Sequence, residues 1–394
     1  MKNILKYTLL LFISLTLTNC SLDDDGGGVT VTGESKTYTL VSVDDPNIFG
    51  TARFIENTNG SAIVELELIG TPSGGLHPAH IHFNTAAEGG DIAVTLGTVD
   101  GTTGFSSVIV SQLDNGTAIT YDELLQFDGY INVHLSASDL GTLVAQGDIG
   151  ENELTGEAKV YELDSVDDPM ISGTATFQER VNGEALATLD LENTTDGAMH
   201  PAHIHANTAA EGGDIVFTFN SVNGTTGLSQ TNVDTITYAE VLTIDGYINV
   251  HLSASDLGTL VAQGDIGQNE LTGESKVYAL SAVDVPSISG TATFFERVNG
   301  EALAVLDLLN TVDGEMHPAH IHAGSVATAP GAILFTFNSV NGTTGVSKTN
   351  VAVLDDDTAF GYDDVLTVDG YINVHLSAGD LATLVAQGDI GINE

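Results

Sequence analysis

Three stretches of the chain repeat one another at a domain-sized spacing, and any fold must accommodate that. Glu34-Ser35-Lys36-Thr37-Tyr38, Glu157-Ala158-Lys159-Val160-Tyr161 and Glu274-Ser275-Lys276-Val277-Tyr278 open the copies, 123 and 117 residues apart. Solenoid repeats run about 20 to 45 residues, so a longer period points to self-contained modules, not a stacked array. The sequence predicts three such modules at residues 34–151, 152–268 and 269–394. Their joints, Glu151 to Gly156 and Gln268 to Gly273, are short and polar, and each carries Leu-Thr-Gly. Short linkers of this kind predict an ordered row of beads.

Within a module the apolar residues alternate over short runs, which is the period of a half-buried strand. In the second copy Lys159 to Leu163, Gly173 to Glu179 and Glu184 to Leu191 read as strands, with Leu186, Leu189 and Leu191 among the buried candidates. Asn182-Gly183 lies between two of them as a hairpin signal. Further strands follow at Asp214 to Asn220, Gly227 to Val233, Tyr247 to Ser253 and Leu260 to Ile266, with a short helical turn at Tyr238 to Leu242. Seven or eight short antiparallel strands per module predict an all-β chain of three tandem Greek-key β-sandwich domains, superoxide dismutase-like or immunoglobulin-like.

All twelve histidines fall in two kinds of stretch. His77-Pro78-Ala79-His80-Ile81-His82 recurs at 200–205 and 317–322, and Tyr130-Ile131-Asn132-Val133-His134-Leu135-Ser136 recurs at 247–253 and 371–377. Strand side chains alternate between faces, so His80 and His82 share one face while Ile81 points to the other. By the same parity Ile131, Val133 and Leu135 face the core, and His134 lies opposite them. If the two strands are neighbours, three imidazoles converge. Three nitrogen ligands on rigid strands with a fourth position open suit copper or zinc. The expected metal ligands are His80, His82 and His134 in the first module, His203, His205 and His251 in the second, and His320, His322 and His375 in the third. His77, His200 and His317 are expected to brace each site. Against this stands a purely structural role, in which the imidazoles only bond to strand carbonyls. The third copy replaces the Asn-Thr-Ala-Ala-Glu-Gly-Gly loop of the first two with Ala323-Gly324-Ser325 to Pro330-Gly331, which suggests a different specificity there.

The N-terminus reads as an export signal: Lys2 and Lys6 precede an apolar run from Tyr7 to Leu17 that is too short to span a bilayer comfortably. Leu17-Thr18-Asn19-Cys20 resembles a bacterial lipoprotein box, which implies a signal peptide over residues 1–19 and a lipid on Cys20. Cys20 is the only cysteine, so no internal disulfide forms. Residues 20–33, with Asp23 to Asp25 and Gly26 to Gly28, read as an acidic, Gly-rich tether. That acidic run resembles the signal that sends some lipoproteins to the outer face of the outer membrane, so a cell-surface location is expected. The net charge is −45 over the whole sequence, which excludes nucleic acid and anionic lipid surfaces as partners and predicts a strongly solvated surface. Calcium binding is the second reading of that charge.

Ser172-Gly-Thr-Ala-Thr-Phe177, its copy at 289–294, the His-Ile-His stretches, and Val133-His134 followed by Gly141 and Gln146 resemble the CHRD domain named after chordin. The resemblance covers each module almost end to end, although Leu143 to Asp148 replaces the family's usual ending. It implies an extracellular domain that binds or scaffolds, without enzymatic activity. A more distant likeness is to copper-zinc superoxide dismutase, whose His-Gly-Phe-His-Val-His is similar to residues 77–82. That likeness implies His80, His82 and His134 as copper ligands. The remaining zinc-site ligands, the disulfide cysteines and the substrate-guiding arginine, whose place falls near Leu143, have no counterpart here. The expected protein is therefore a lipid-anchored row of three non-enzymatic modules that bind an unknown extracellular ligand or protein. A copper-dependent redox enzyme or copper store is the alternative, and a bare spacer a third reading.

Overall fold

The computed structural model describes residues 30–394. The expected signal peptide at 1–19, the lipidation site Cys20 and the tether as far as residue 29 lie outside the described residues. The first unit contains β1 (Val31–Ser42), β2 (Phe49–Asn57), β3 (Ala62–Ile69), β4 (Leu76–Phe83), β5 (Ile92–Asp100), β6 (Phe105–Val110), α1 (Tyr121–Leu124), β7 (Asp128–Ser136) and β8 (Asp139–Gly150). In the second are β9 (Leu154–Ser165), β10 (Ser172–Arg180), β11 (Ala185–Glu192), β12 (Met199–Ala206), β13 (Ile215–Asn223), β14 (Leu228–Val233), α2 (Tyr238–Val241), β15 (Asp245–Ser253) and β16 (Asp256–Gly267). The third follows with β17 (Leu271–Ala282), β18 (Ser289–Arg297), β19 (Ala302–Leu309), β20 (Met316–Ala323), β21 (Ile333–Asn341), β22 (Val346–Val351), α3 (Tyr362–Thr367), β23 (Asp369–Ser377) and β24 (Asp380–Gly391).

The chain is all-β with three repeated units. In the first, the eight strands close in the order β1-β2-β3-β6-β5-β4-β7-β8. Val41 and Ser42 of β1 pair with Gln146 and Ala145 of β8 and complete the ring, so the unit is a barrel and not two separate sheets. The second barrel has the equivalent order. In the third the order is kept, but β21 and β22 are the ends of the sheet, joined by a turn in which Gly345 N–H donates to Asn341 O at 2.7 Å. An eight-stranded barrel is just wide enough for side chains to fill it, and here Phe54, Val64, Leu66, Ile81, Ile131 and Val133 are completely buried inside the first.

Local chemistry sets the connections. At Asn182-Gly183 the hairpin is one residue longer than the two-residue turn suggested by that pair. Arg180 O accepts from Gly183 N–H at 3.0 Å, and Arg180 N–H donates to Glu184 O at 3.0 Å. Only Gly183 is left-handed, at φ 86°, which is a type I turn followed by a left-handed glycine. The helical turn α2 carries a capping box, with Thr237 accepting from Glu240 N–H while the Glu240 carboxylate returns to Thr237.

The joints are tighter than linkers. β8 ends at Gly150 and β9 begins at Leu154, and Asn152 in the turn between them is 1% exposed. Leu189 and Leu191 belong to the second barrel's core. Leu186, on the opposite parity, is also buried but lines the cleft between the first and second units with Ala86 and Asp148.

Candidate metal centre

The backbone brings the histidine stretches together by direct pairing. β4 runs antiparallel to β7 with His80 opposite Asn132 and His82 opposite Tyr130, so His134 is the diagonal neighbour of His80 on the same face. Ala79 and Ile81 point into the barrel and are completely buried. Leu135 was expected in the core beside Ile131 and Val133, yet it is 39% exposed. The β7–β8 register shifts between Val133 and His134 and again between His134 and Ser136, each time with the extra residues in β8, so regular pairing with the partner strand ends just where Leu135 lies.

In each unit three imidazoles converge outside the barrel core: His80, His82 and His134; His203, His205 and His251; His320, His322 and His375. One nitrogen from each lies within 4.8 Å of the other two, so each triad could hold a metal ion. The ring centroids of His80 and His134 are 5.1 Å apart, and the same 5.1 Å separates the corresponding pairs in the other units. His82 and His134 are separated by 6.4 Å, repeated in both copies.

Hydrogen bonds fix which nitrogen faces the centre. His82 Nδ1–H donates to Gly90 O at 2.9 Å, and His134 Nδ1–H donates to Leu140 O at 2.8 Å. Those contacts place the proton on Nδ1 and leave Nε2 as the free lone pair of each ring. Both Nε2 atoms are buried without a partner, as is Nδ1 of His80. The second unit repeats the arrangement through Gly213 O and Leu257 O, and the third through Gly331 O and Leu381 O. Tetrahedral coordination with bonds of about 2.0–2.1 Å separates ligand nitrogens by roughly 3.3 Å. His203 Nδ1 and His251 Nε2 are already 3.1 Å apart. A cation there would take the place of the shared proton and satisfy the orphaned lone pairs, so the donor set fits a metal ion.

Burial favours the neutral form at six of the nine triad rings. Burial holds His80 below the ordinary imidazole range, and the neighbouring His134 and His82 add to the effect. His203 and His320 are lowered for the same reasons. Burial also lowers His134, His251 and His375, against the opposing pull of their carbonyl bonds. Neutral imidazole is the form that ligates metals.

His77 lies beside the triad and outside it. It is almost fully buried, and its Nδ1–H donates to the backbone carbonyl of His134 at 3.2 Å. His200 and His317 make the same bond to His251 O and His375 O, at 3.1 Å and 3.2 Å. Each ties the start of one histidine strand to the end of the other.

Several residues of the site carried no obvious signal in the sequence. Tyr130 stacks on His82 with centroids 5.0 Å apart and rings 21° from parallel, and Tyr247 and Tyr371 do the same in their units. Tyr130 lies on the same face as His134, four residues away, as strand parity indicates, but nothing in the sequence gave it a role there. Its hydroxyl accepts from Gly90 N–H at 3.2 Å, which holds the residue whose carbonyl orients His82. The third unit's altered loop changes none of this: Gly331 N–H donates to Tyr371 Oη at 2.8 Å, and Gly331 O accepts from His322. The geometry of the third triad is thus the same as in the other two copies. Comparison with protein-family models, with curated proteins and with solved structures found no match to this chain.

Proposed function

We propose that each unit is a binding module for a divalent transition metal, zinc or copper, held by three histidine nitrogens with a fourth position left for water or a ligand. The observation that carries this reading is the threefold recurrence of one donor set, two Nε2 atoms and one Nδ1, without partners in the first and third units and closed by the His203–His251 contact in the second, in a chain whose only other histidines are His77, His200 and His317 beside the triads. Imidazole donors of borderline softness favour zinc and copper over calcium, which takes oxygen ligands. The acidic surface raises the local concentration of cations.

The wider reading is a lipid-anchored protein of the outer membrane, displayed at the cell surface through Cys20, whose three modules bind a metal or a metal-bearing extracellular partner without a catalytic step. Its support is the lipoprotein-like box, the acidic tether and the CHRD-like motifs. The strand order, which crosses from β3 to β4 and from β6 to β7, supports a Greek-key description of each barrel. Metal content of the purified mature protein, compared with a His80→Ala, His203→Ala, His320→Ala triple variant, tests the central point. Three zinc or copper ions per chain, lost in the variant, are expected; a chain that takes up neither metal after loading returns the histidines to structural roles.

A further inference from the structure

Arg180 and Arg297 are two of only nine basic residues in the chain, and both are nearly completely buried at equivalent places. A guanidinium out of water requires an anionic partner, and here the partner belongs to the preceding unit. Arg180 Nη1, from the end of β10, donates to Asp148 Oδ2 of β8 at 2.7 Å and to Asn152 O at 2.5 Å, while Nε donates to Asn232 Oδ1 at 2.8 Å.

Both residues gripped across the joint also hold the loop that orients a triad histidine. Asp148 Oδ1 accepts from Ala86 N–H at 2.8 Å, and Asn152 Nδ2 donates to Asn84 O at 3.1 Å. At the far end of that loop is Gly90, whose carbonyl fixes His82. The second joint repeats every contact. Arg297 donates to Asp265 and Asn269 O, Asp265 accepts from Ala209 N–H, and Asn269 donates to Asn207 O. Gly213 then fixes His205. The first unit has Asn57 at the arginine position, bonded to Ser61 within its own hairpin. In the third unit Asp389 accepts from Val326 N–H, and no arginine meets it among the described residues.

We propose that Arg180 and Arg297 are positioning residues for the triad of the unit before their own, so that each joint couples one module's hairpin to its neighbour's metal site. The inference rests on the metal reading above. Arginine suits this place because Nη1 binds the carboxylate and the carbonyl across the joint while Nε of the same rigid plane binds Asn232 of its own unit, a spread that the point charge of lysine does not reproduce.

The test uses the full chain with His203→Ala and His320→Ala, leaving only the first triad, and measures zinc affinity by competition with a chromophoric chelator. Arg180→Gln is expected to weaken binding about tenfold, the range seen when residues behind a metal ligand are lost. Arg297→Gln, the same lesion one joint along, is expected to leave this site unchanged. Equal loss in both variants, or none in either, overturns the proposal. If Arg180→Gln does not fold, Arg180→Lys keeps the charge without the guanidinium plane; a several-fold loss at the first triad is expected, and an unchanged affinity overturns it. A metal-free readout separates this idea from the metal reading. In NMR of the unloaded protein, exchange of the His82 Nδ1 proton should quicken with Arg180→Gln and not with Arg297→Gln. That contrast holds even in a chain that binds no zinc, and its absence counts against the coupling.

Discussion

Gly213→Ala is the sharpest probe of how the triads are oriented. A Cβ on Gly213 would lie 2.0 Å from Ala206 O and 2.8 Å from its carbon. Restoring ordinary contact at 3.4 Å moves one of the two backbones by roughly 1.4 Å. The bond from His205 to Gly213 O is 2.9 Å long, so a retreat of that size breaks it. Overpacking costs about 1–3 kcal/mol and the lost hydrogen bond about 1 kcal/mol, so the unit should lose about 2–4 kcal/mol of stability. With the carbonyl gone, His205 is free to change tautomer and rotate, and zinc affinity at the second triad should fall roughly 10- to 100-fold. The assay is zinc competition in a chain retaining only the second triad, beside urea denaturation of the same variant. Gly212→Ala is the control. Its Cβ has open space, with Tyr247 Oη 4.0 Å away, but its φ of +76° costs about 1 kcal/mol, and little change in affinity is expected. A Gly213→Ala protein that is destabilised and yet binds zinc as before would show that the carbonyl does not set the site.

Two further outcomes follow from the same structure. Burial lowers six triad histidines below the free value of 6.5, so in the metal-free protein the unfolded chain takes up protons first as pH falls. Stability is thus full above pH 6.5 and is lost as pH drops through the lower folded values, which Tm against pH in the presence of a chelator will show; a flat profile between pH 7 and 5 would contradict neutral, buried rings. Phe177 is completely buried against Tyr161 and Phe219 at 6.0 Å and 6.2 Å, so Phe177→Ala should cost about 3–5 kcal/mol in denaturant melts of the second unit, and a loss under 1 kcal/mol would mean that the barrel interior is not packed as described.

Period-two parity made much of the site legible. It separated Ile81 from His80 and His82, and it placed His134 on the triad side of its strand. It failed at Leu135, because the bulges insert residues into the partner strand β8 and leave no trace in the alternation of β7. It also missed why Leu186 is buried, since the surface that covers it belongs to another unit. Barrel closure was not legible either: two residue pairs between β1 and β8 decide it, and an apolar pattern specifies faces, not which edges meet. The joints looked like linkers because Glu151, Asn152 and Glu153 are polar, but the buried Asn152 side chain donates to Asn84 O, Asp128 Oδ1 and Gly129 O of the first unit. A signal for the coupling existed in Arg180 and Arg297, cations placed identically at the ends of apolar strands in a chain of few cations.

X-ray absorption at the zinc edge of the loaded protein tests the central claim most directly, because it sees the ligands themselves. The account predicts three imidazole nitrogens per zinc at about 2.0–2.1 Å, with the multiple scattering of histidine rings, and a fourth light ligand. A shell of oxygens without ring scattering would place the metal on the acidic surface and leave the triads without it.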